Sequence, residues 1–276
     1  MTLLLKTVPA SRGLRWVVDA FRLFARKPLL FTMMFAVFLF AALVVSLVPL
    51  LGGLVQMAAL PLLSLGFMIA SQSALGSGPV HPVQFIEPLR GDPARRRSLL
   101  ILCAIYGVSA LAILLLADAV SDSAWTRLQA LMVQGDETQS EIDALLAEPG
   151  VTTAVILALV LGTALSVPFW HAPALVHWGG QGVAQALFSS TLAVWRCKGA
   201  FFTYALAWAG VIGLFGLLAA LLFGLLGMPQ LANVLGVPAG LTFSTVFYIS
   251  LLFTFTDSFG GVAPAPPGAA PGSTDG

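Results

Sequence analysis

"PLLFTMMFAVFLFAALVVSLVPLLGGLVQMAALPLLSLGFMIASQ", Pro28 to Gln72, contains no Asp, Glu, Lys or Arg, and the uncharged interval continues to Ile86. A helix that crosses the hydrocarbon core needs roughly 20 apolar residues. The interval therefore has room for two crossings in succession, and the fold is decided by whether the rest of the chain repeats this pattern.

It does. Further uncharged intervals run from Ser98 to Ala117, Pro149 to Trp195 and Gly199 to Thr256, with room for one, one or two, and two spans. Hydrophobic residues make up 58% of the 276, charged residues 9%, and the mean hydropathy is +0.95, far from the soluble range. The fold class is thus an all-α polytopic membrane bundle. Hydropathy sets six transmembrane helices at about 29–48, 54–72, 98–117, 151–170, 200–223 and 231–255. Ala174 to Trp195 is interrupted by Gly179, Gly180 and Gly182 and carries Gln181, Gln185, Ser189, Ser190 and Thr191. It is expected to lie along the surface rather than cross.

Orientation follows from the lysines and arginines. Of the thirteen, all but Arg127 fall in connections on one side: Lys6 to Lys27, Arg90 to Arg97, and Arg196 with Lys198. That side and both termini are expected to be cytoplasmic. The outer segment, 118–150, carries the acids Asp122, Asp136, Glu137 and Asp143. It reads as two short helices split at Gly135, one with Trp125, Leu128 and Met132 on its apolar face and one with Ile142, Leu145 and Leu146. Thr138 and Glu141 would form a capping box. Residues 1–258 make a single transmembrane domain, and the Gly/Pro-rich tail, 259–276, is expected to be disordered. The N-terminus lacks the compact basic start and cleavage site of a secretory signal, so the first span is read as retained. Cys103 and Cys197 show no disulfide or metal spacing and are expected to be free thiols.

Ahead of the first span, "SRGLRWVVDAFRLFARKP" places Arg15, Asp19, Arg22 and Arg26 on one stripe of a helix over 12–27, with Leu14, Val18, Phe21 and Ala25 beside them. Ser11 is positioned to cap its start and Pro28 to end it. A helix with arginines on one face and Trp and Phe on the other is built for the headgroup layer of anionic lipid. Arg15, Arg22, Arg26 and Lys27 are the candidate lipid contacts. The alternative is a helix docked on protein.

The same unit recurs: "AFRLFARKPLLF" from Ala20 aligns without gaps with "TLAVWRCKGAFF" from Thr191, and a weaker copy, "PVQFIEPLRGDPARRRSLL", precedes the third span. The second helix of each pair carries a proline: Pro61, Pro168 with Pro173, and Pro238. This suggests three units, each a surface helix followed by a two-helix hairpin.

Candidate chemistry concentrates in "SVPFWHAPALVHWGG", Ser166 to Gly180. Pro168 and Pro173 are read as a helix kink, Trp170 and Trp178 as interfacial aromatics. His171 and His177 would then lie at headgroup depth, about 240° apart around an ideal helix. With His81 they are the only metal candidates, but a structural, hydrogen-bonded or lipid-facing role fits them better, and no catalytic, cofactor or metal site is expected. No ionisable residue lies deep in a span, where the polar groups are Ser, Thr, Tyr and Gln56, which argues against an ion-coupled pump. Small residues at Ala205, Ala209 and Gly213, then Gly216, Ala220 and Gly224, have the spacing of close helix packing. No Walker loop, dinucleotide fingerprint, GxSxG or HExxH motif is present.

At "FWHAPALVHWGG", "LFSSTLAVWRCKGAFFTY" and "LLFTFTDSF" the chain resembles an uncharacterised family of proteobacterial inner-membrane proteins, best populated in Burkholderia. The resemblance runs from "GLRWVVDAFRLFARKPL" almost to the end and implies an inner-membrane location and six helices, with no functional residue to carry over. The expectation is a non-enzymatic, partner-binding or membrane-organising protein. A small-solute or lipid transporter is the alternative, an interfacial lipid enzyme using His171 and His177 the third. Expected partners are membrane lipids with anionic headgroups and a membrane-protein partner or second copy of the chain, with no nucleic acid and no cofactor.

Overall fold

The structure is a computed structural model that describes residues 4–48, 51–124, 126–127, 144–228 and 230–260. The Gly135 break, the Thr138–Glu141 capping box and the tail beyond 260 lie outside the described residues. No strand occurs among the described residues. The helices are α1 (Arg12–Arg26), α2 (Pro28–Ser46), α3 (Leu51–Leu75), α4 (Glu87–Arg90), α5 (Pro93–Val120), α6 (Pro149–Phe169), α7 (Ala172–Gly179), α8 (Val183–Arg196), α9 (Lys198–Leu225) and α10 (Gln230–Phe259), with a 3-10 turn at Pro82–Phe85.

Among the described residues, six helical stretches are long and apolar enough to span a bilayer: Pro28–Ser46, Leu51–Leu75, Pro93–Val120, Gly150–Gly179, Lys198–Leu225 and Val234–Phe259. The third extends well past its hydropathy bounds because a helix continues through charged residues once it leaves the hydrocarbon, whereas the first ends at Ser46, short of 48. Asp92 caps α5 by accepting the Ala94 amide at 3.1 Å, so Arg95, Arg96 and Arg97 belong to the helix and not to a loop. The element order fits three units, with α1, the 3-10 turn with α4, and α8 each preceding a hairpin, and Pro61, Pro168 and Pro238 inside the second helix of each.

Two ends of the bundle are distinguished by their contacts. At one, Lys27 Nζ donates to the Gly78 carbonyl at 2.6 Å, Arg95 to the His177 carbonyl at 3.0 Å, and the Lys6 amide to the Ser258 carbonyl at 2.8 Å. At the other, Arg127 forks onto Glu148 at 2.9 and 3.2 Å. The one isolated arginine of the sequence thus stands at the opposite end from the basic connections.

Local expectations fail in three places. Ser11 makes no side-chain cap, because the chain is already turning there and Arg12 bonds back to the Pro9 carbonyl. Ala174 to Trp195 does not lie wholly on the surface: Ala172 to Val176 are fully buried and continue the fourth span beyond a bend, and only α8 is peripheral. The small-residue stripe of α9 does not pack against the described residues: a methyl group added at Gly213, Gly216 or Gly224 would meet none of their atoms within 4 Å. Close packing is spent elsewhere, at Gly107 against Ala58, Gly66 against Phe85 and Gly13 against the Ala200 carbonyl.

Candidate functional site: a polar ladder on the last helix

The inner face of α10 carries Ser250, Thr254 and Ser258, all fully buried, with Asp257 on the same turn as Ser258. Spacings of four bring these side chains one above another. Ser250, Thr254 and Asp257 are each met by a different element, while the Ser258 hydroxyl has no partner among the described residues.

Tyr204 of α9 meets Ser250 at 2.6 Å. Ser250 donates its only proton to the Phe247 carbonyl, so the tyrosine hydroxyl is the donor. One turn on, Thr254 donates to the Leu251 carbonyl at 2.8 Å and accepts from Trp170 Nε1 at 3.2 Å. His171 Nε2 is also 3.2 Å from that oxygen. With the hydroxyl proton already committed, Nε2 must carry its own hydrogen, which fixes the neutral tautomer by elimination. His171 is fully buried, ringed by Phe201, Phe255 and Phe259, and its Nδ1 has no hydrogen-bond partner among the described residues. It therefore sits in the protein core, without a lipid-facing ring.

At the end of the ladder Asp257 Oδ2 accepts from both Arg12 Nε and Trp16 Nε1, each at 2.7 Å. The hydrogen bond to Asp257 raises the Arg12 pKa above its ordinary value. This contact docks α1. Gly13, Trp16, Val17, Ala20 and Leu23 face α9 and α10, and Trp16 is fully buried, so it does not share the lipid-facing role expected for the aromatics of this helix. By comparison the Asp19–Arg22 pair at 3.3 Å is exposed, and such pairs contribute about 0.3–0.5 kcal/mol.

The bend in the fourth span has a specific cause. Helix α6 ends at Phe169 and α7 starts at Ala172, with Pro168 inside the first and Pro173 in the first turn of the second. Between them, the His171 amide does not reach the Val167 carbonyl. Ser190 Oγ of α8 accepts from that amide at 3.0 Å and donates to that carbonyl at 3.0 Å. A side chain inserted into the helical ladder is one of the recognised origins of a kink, and here it leaves both backbone groups satisfied.

The other candidates fall in separate places. His81 caps the 3-10 turn, its Nδ1 accepting the Val83 amide at 3.3 Å. His177 is half-buried with its ring against Trp178. No group of three His, Cys, Asp or Glu side chains gathers as a metal site among the described residues. Arg15, Arg22 and Arg26 are exposed, together with Leu14, Val18 and Ala25. Lys27 is half-buried and held by Gly78. Helix α8 presents a second outward stripe, Ala184, Phe188, Thr191 and Trp195, with Arg196 and Lys198 following. Phe188 is 68% and Trp195 71% exposed, and Lys198 Nζ lies 5.5 Å from the Trp195 ring. Both cysteines are buried free thiols.

Sequence reasoning missed Ser190, Thr254, Tyr204 and Trp16. The signal for the ladder was present in the four-residue spacing of Ser250, Thr254 and Ser258 within an otherwise apolar span. Nothing in the sequence marks Ser190 apart from Ser189.

No family model and no solved structure matches the chain. A "probable inner membrane protein" of Burkholderia thailandensis is 34% identical over 263 residues, which cover 94% of this chain and 95% of that protein. A likeness of that extent places the chain in the same family of inner-membrane proteins, and its six long apolar helices make it a multi-pass member.

Proposed function

We propose that this is a non-enzymatic membrane-organising protein that holds anionic lipid headgroups at its basic end, with α1 and α8 lying in the headgroup layer and both termini in the cytoplasm. The observation that carries the reading is the composition of the outward faces. Leu14, Val18, Phe188 and Trp195 are exposed beside Arg15, Arg22, Arg26, Arg196 and Lys198. Aromatic and aliphatic groups interleaved with arginines suit the boundary between acyl chains and phosphates. Each basic residue near an anionic surface contributes about 1 kcal/mol. The inner face of α1 is occupied by α9 and α10, so the helix is docked and outward-facing at once, and it is held rigidly against the bundle.

Orientation is supported by the distribution of lysine and arginine, all but Arg127 of which belong to the end carrying α1. Reporter fusions after Gly78, Gly135, Gly182 and Asp257 should read in, out, in and in. A periplasmic reading at Gly182 would contradict the arrangement. The lipid claim is tested by analysing phospholipids that co-purify with the full-length protein. Anionic species should be enriched over the membrane average, and the enrichment should fall in the Arg15→Glu, Arg22→Glu, Arg26→Glu variant.

A further inference from the structure

A cavity of about 130 Å³ lies between α3, α5, α6 and α10, lined among others by Pro61, Ser64, Tyr106, Ser166, Trp170 and Tyr248. Tyr106 stands halfway along α5, Pro61 and Ser64 halfway along α3, and Tyr248 within the Val234–Phe259 span, so the cavity lies near mid-bilayer depth. Ser64, Tyr106, Ser166, Trp170 and Tyr248 are only half-buried, which leaves the cavity reachable from the lipid-facing surface.

Its hydrogen-bonding inventory is unbalanced. Ser64 and Ser166 donate their hydroxyl protons to the Pro61 and Thr163 carbonyls, at 2.8 and 2.7 Å. Trp170 Nε1 is committed to Thr254. Neither the Tyr106 nor the Tyr248 hydroxyl takes part in a side-chain hydrogen bond among the described residues, although both line the cavity. These are two of the chain's three tyrosines. At that depth bulk water is absent, and a polar group without a partner is costly. The free protons of the cavity are therefore two phenolic donors, and they call for an acceptor oxygen on whatever enters.

Size and walls narrow the choice. An apolar cavity of roughly 150 Å³ holds one benzene ring. Phe169 meets the Tyr106 ring edge-on at 5.0 Å and Trp170 packs edge-on against Phe247 at 5.9 Å, so the walls are built largely of aromatic rings suited to a planar guest. We infer that the cavity binds the head of a neutral membrane-soluble compound, a six-membered ring bearing a carbonyl oxygen, with Tyr106 and Tyr248 donating to that oxygen and the apolar tail leaving between the helices. A phospholipid headgroup is excluded by depth and charge, since no cation lines the cavity.

The test is equilibrium binding of radiolabelled decyl-1,4-benzoquinone to the full-length protein in nanodiscs, with decylbenzene as the competitor that lacks oxygen. Saturable binding of one molecule per chain is expected, weakened at least tenfold in the Tyr106→Phe, Tyr248→Phe double variant and poorly displaced by decylbenzene. Both substitutions keep the ring and its packing, and thermal unfolding of the variant checks that the fold persists. If that variant does not fold, the single Tyr106→Phe variant is read in its place, with at least a threefold loss expected. Non-saturable uptake, equal displacement by decylbenzene, or unchanged affinity in the folded variants would overturn the assignment, leaving a hole filled by acyl chain or water.

Discussion

The Ser190 hydroxyl stands 3.0 Å from the backbone amide of His171 and takes the place of that amide's own helical acceptor, Val167. One side chain from a peripheral helix thereby determines where the fourth span bends, and the bend is what carries Trp170 and His171 to Thr254.

Ser190→Ala removes the bridge and strands the buried His171 N–H, while the Val167 carbonyl keeps only the long contact from the Trp170 amide, at 3.4 Å. Unsatisfied groups of this kind cost about 1–3 kcal/mol each. The variant should unfold at clearly lower denaturant in mixed micelles, whereas Ser189→Ala, one residue away and half-buried, should change little. Equal stability of the two variants would show that the bend is fixed by the prolines alone.

His171→Gln and His177→Gln should separate in the same measurement. The first replaces a ring enclosed by three phenylalanines and bonded to Thr254, with a loss of about 1–3 kcal/mol expected. The second touches a half-buried ring and should stay within about 0.5 kcal/mol. Stoichiometric zinc in the purified protein, lost in either variant, would instead make the histidines ligands.

Asp257→Asn should loosen α1. Hydrogen bonds to a charged group contribute about 1.5–3 kcal/mol, and this carboxylate accepts two. A double-mutant cycle of Asp257→Asn with Arg12→Gln should return a coupling of about 0.5–3 kcal/mol. A coupling near zero would mean that Trp16 alone anchors the helix.

Gly13→Val tests the same docking from its other side. A side chain there would overlap the Ala200 carbonyl and the Tyr204 amide, both backbone atoms that cannot swing aside. Overpacking costs about 1–3 kcal/mol, and α1 should become protease-accessible while the six spans remain folded. Protection equal to that of the parent would contradict the close approach.

The six spans and the sidedness of charge were legible in the sequence because hydrocarbon excludes charge and leaves long uncharged intervals on the page. The docking of α1 was half legible. Its Arg15, Arg22 and Arg26 stripe faces outward as spaced, but Trp16 and Leu14 are both apolar, and only the position of α9 decides which of them is buried. Buried Ala172 to Val176 were obscured by the glycines and glutamines that follow, because a window of hydropathy averages across a bend. The α9 stripe misled for the opposite reason: small residues permit close packing without specifying a partner, and none among the described residues takes it up.

The central claim, that the outward faces of α1 and α8 rest on lipid, is tested most directly by photocrosslinking in native membranes from benzophenone side chains placed at Val18 and Phe188. The account predicts phospholipid adducts at both positions, with the anionic share at Val18 falling when Arg15, Arg22 and Arg26 are changed to Glu. Adducts to a discrete protein at both positions, with no lipid, would contradict it and identify these faces as a partner's docking surface.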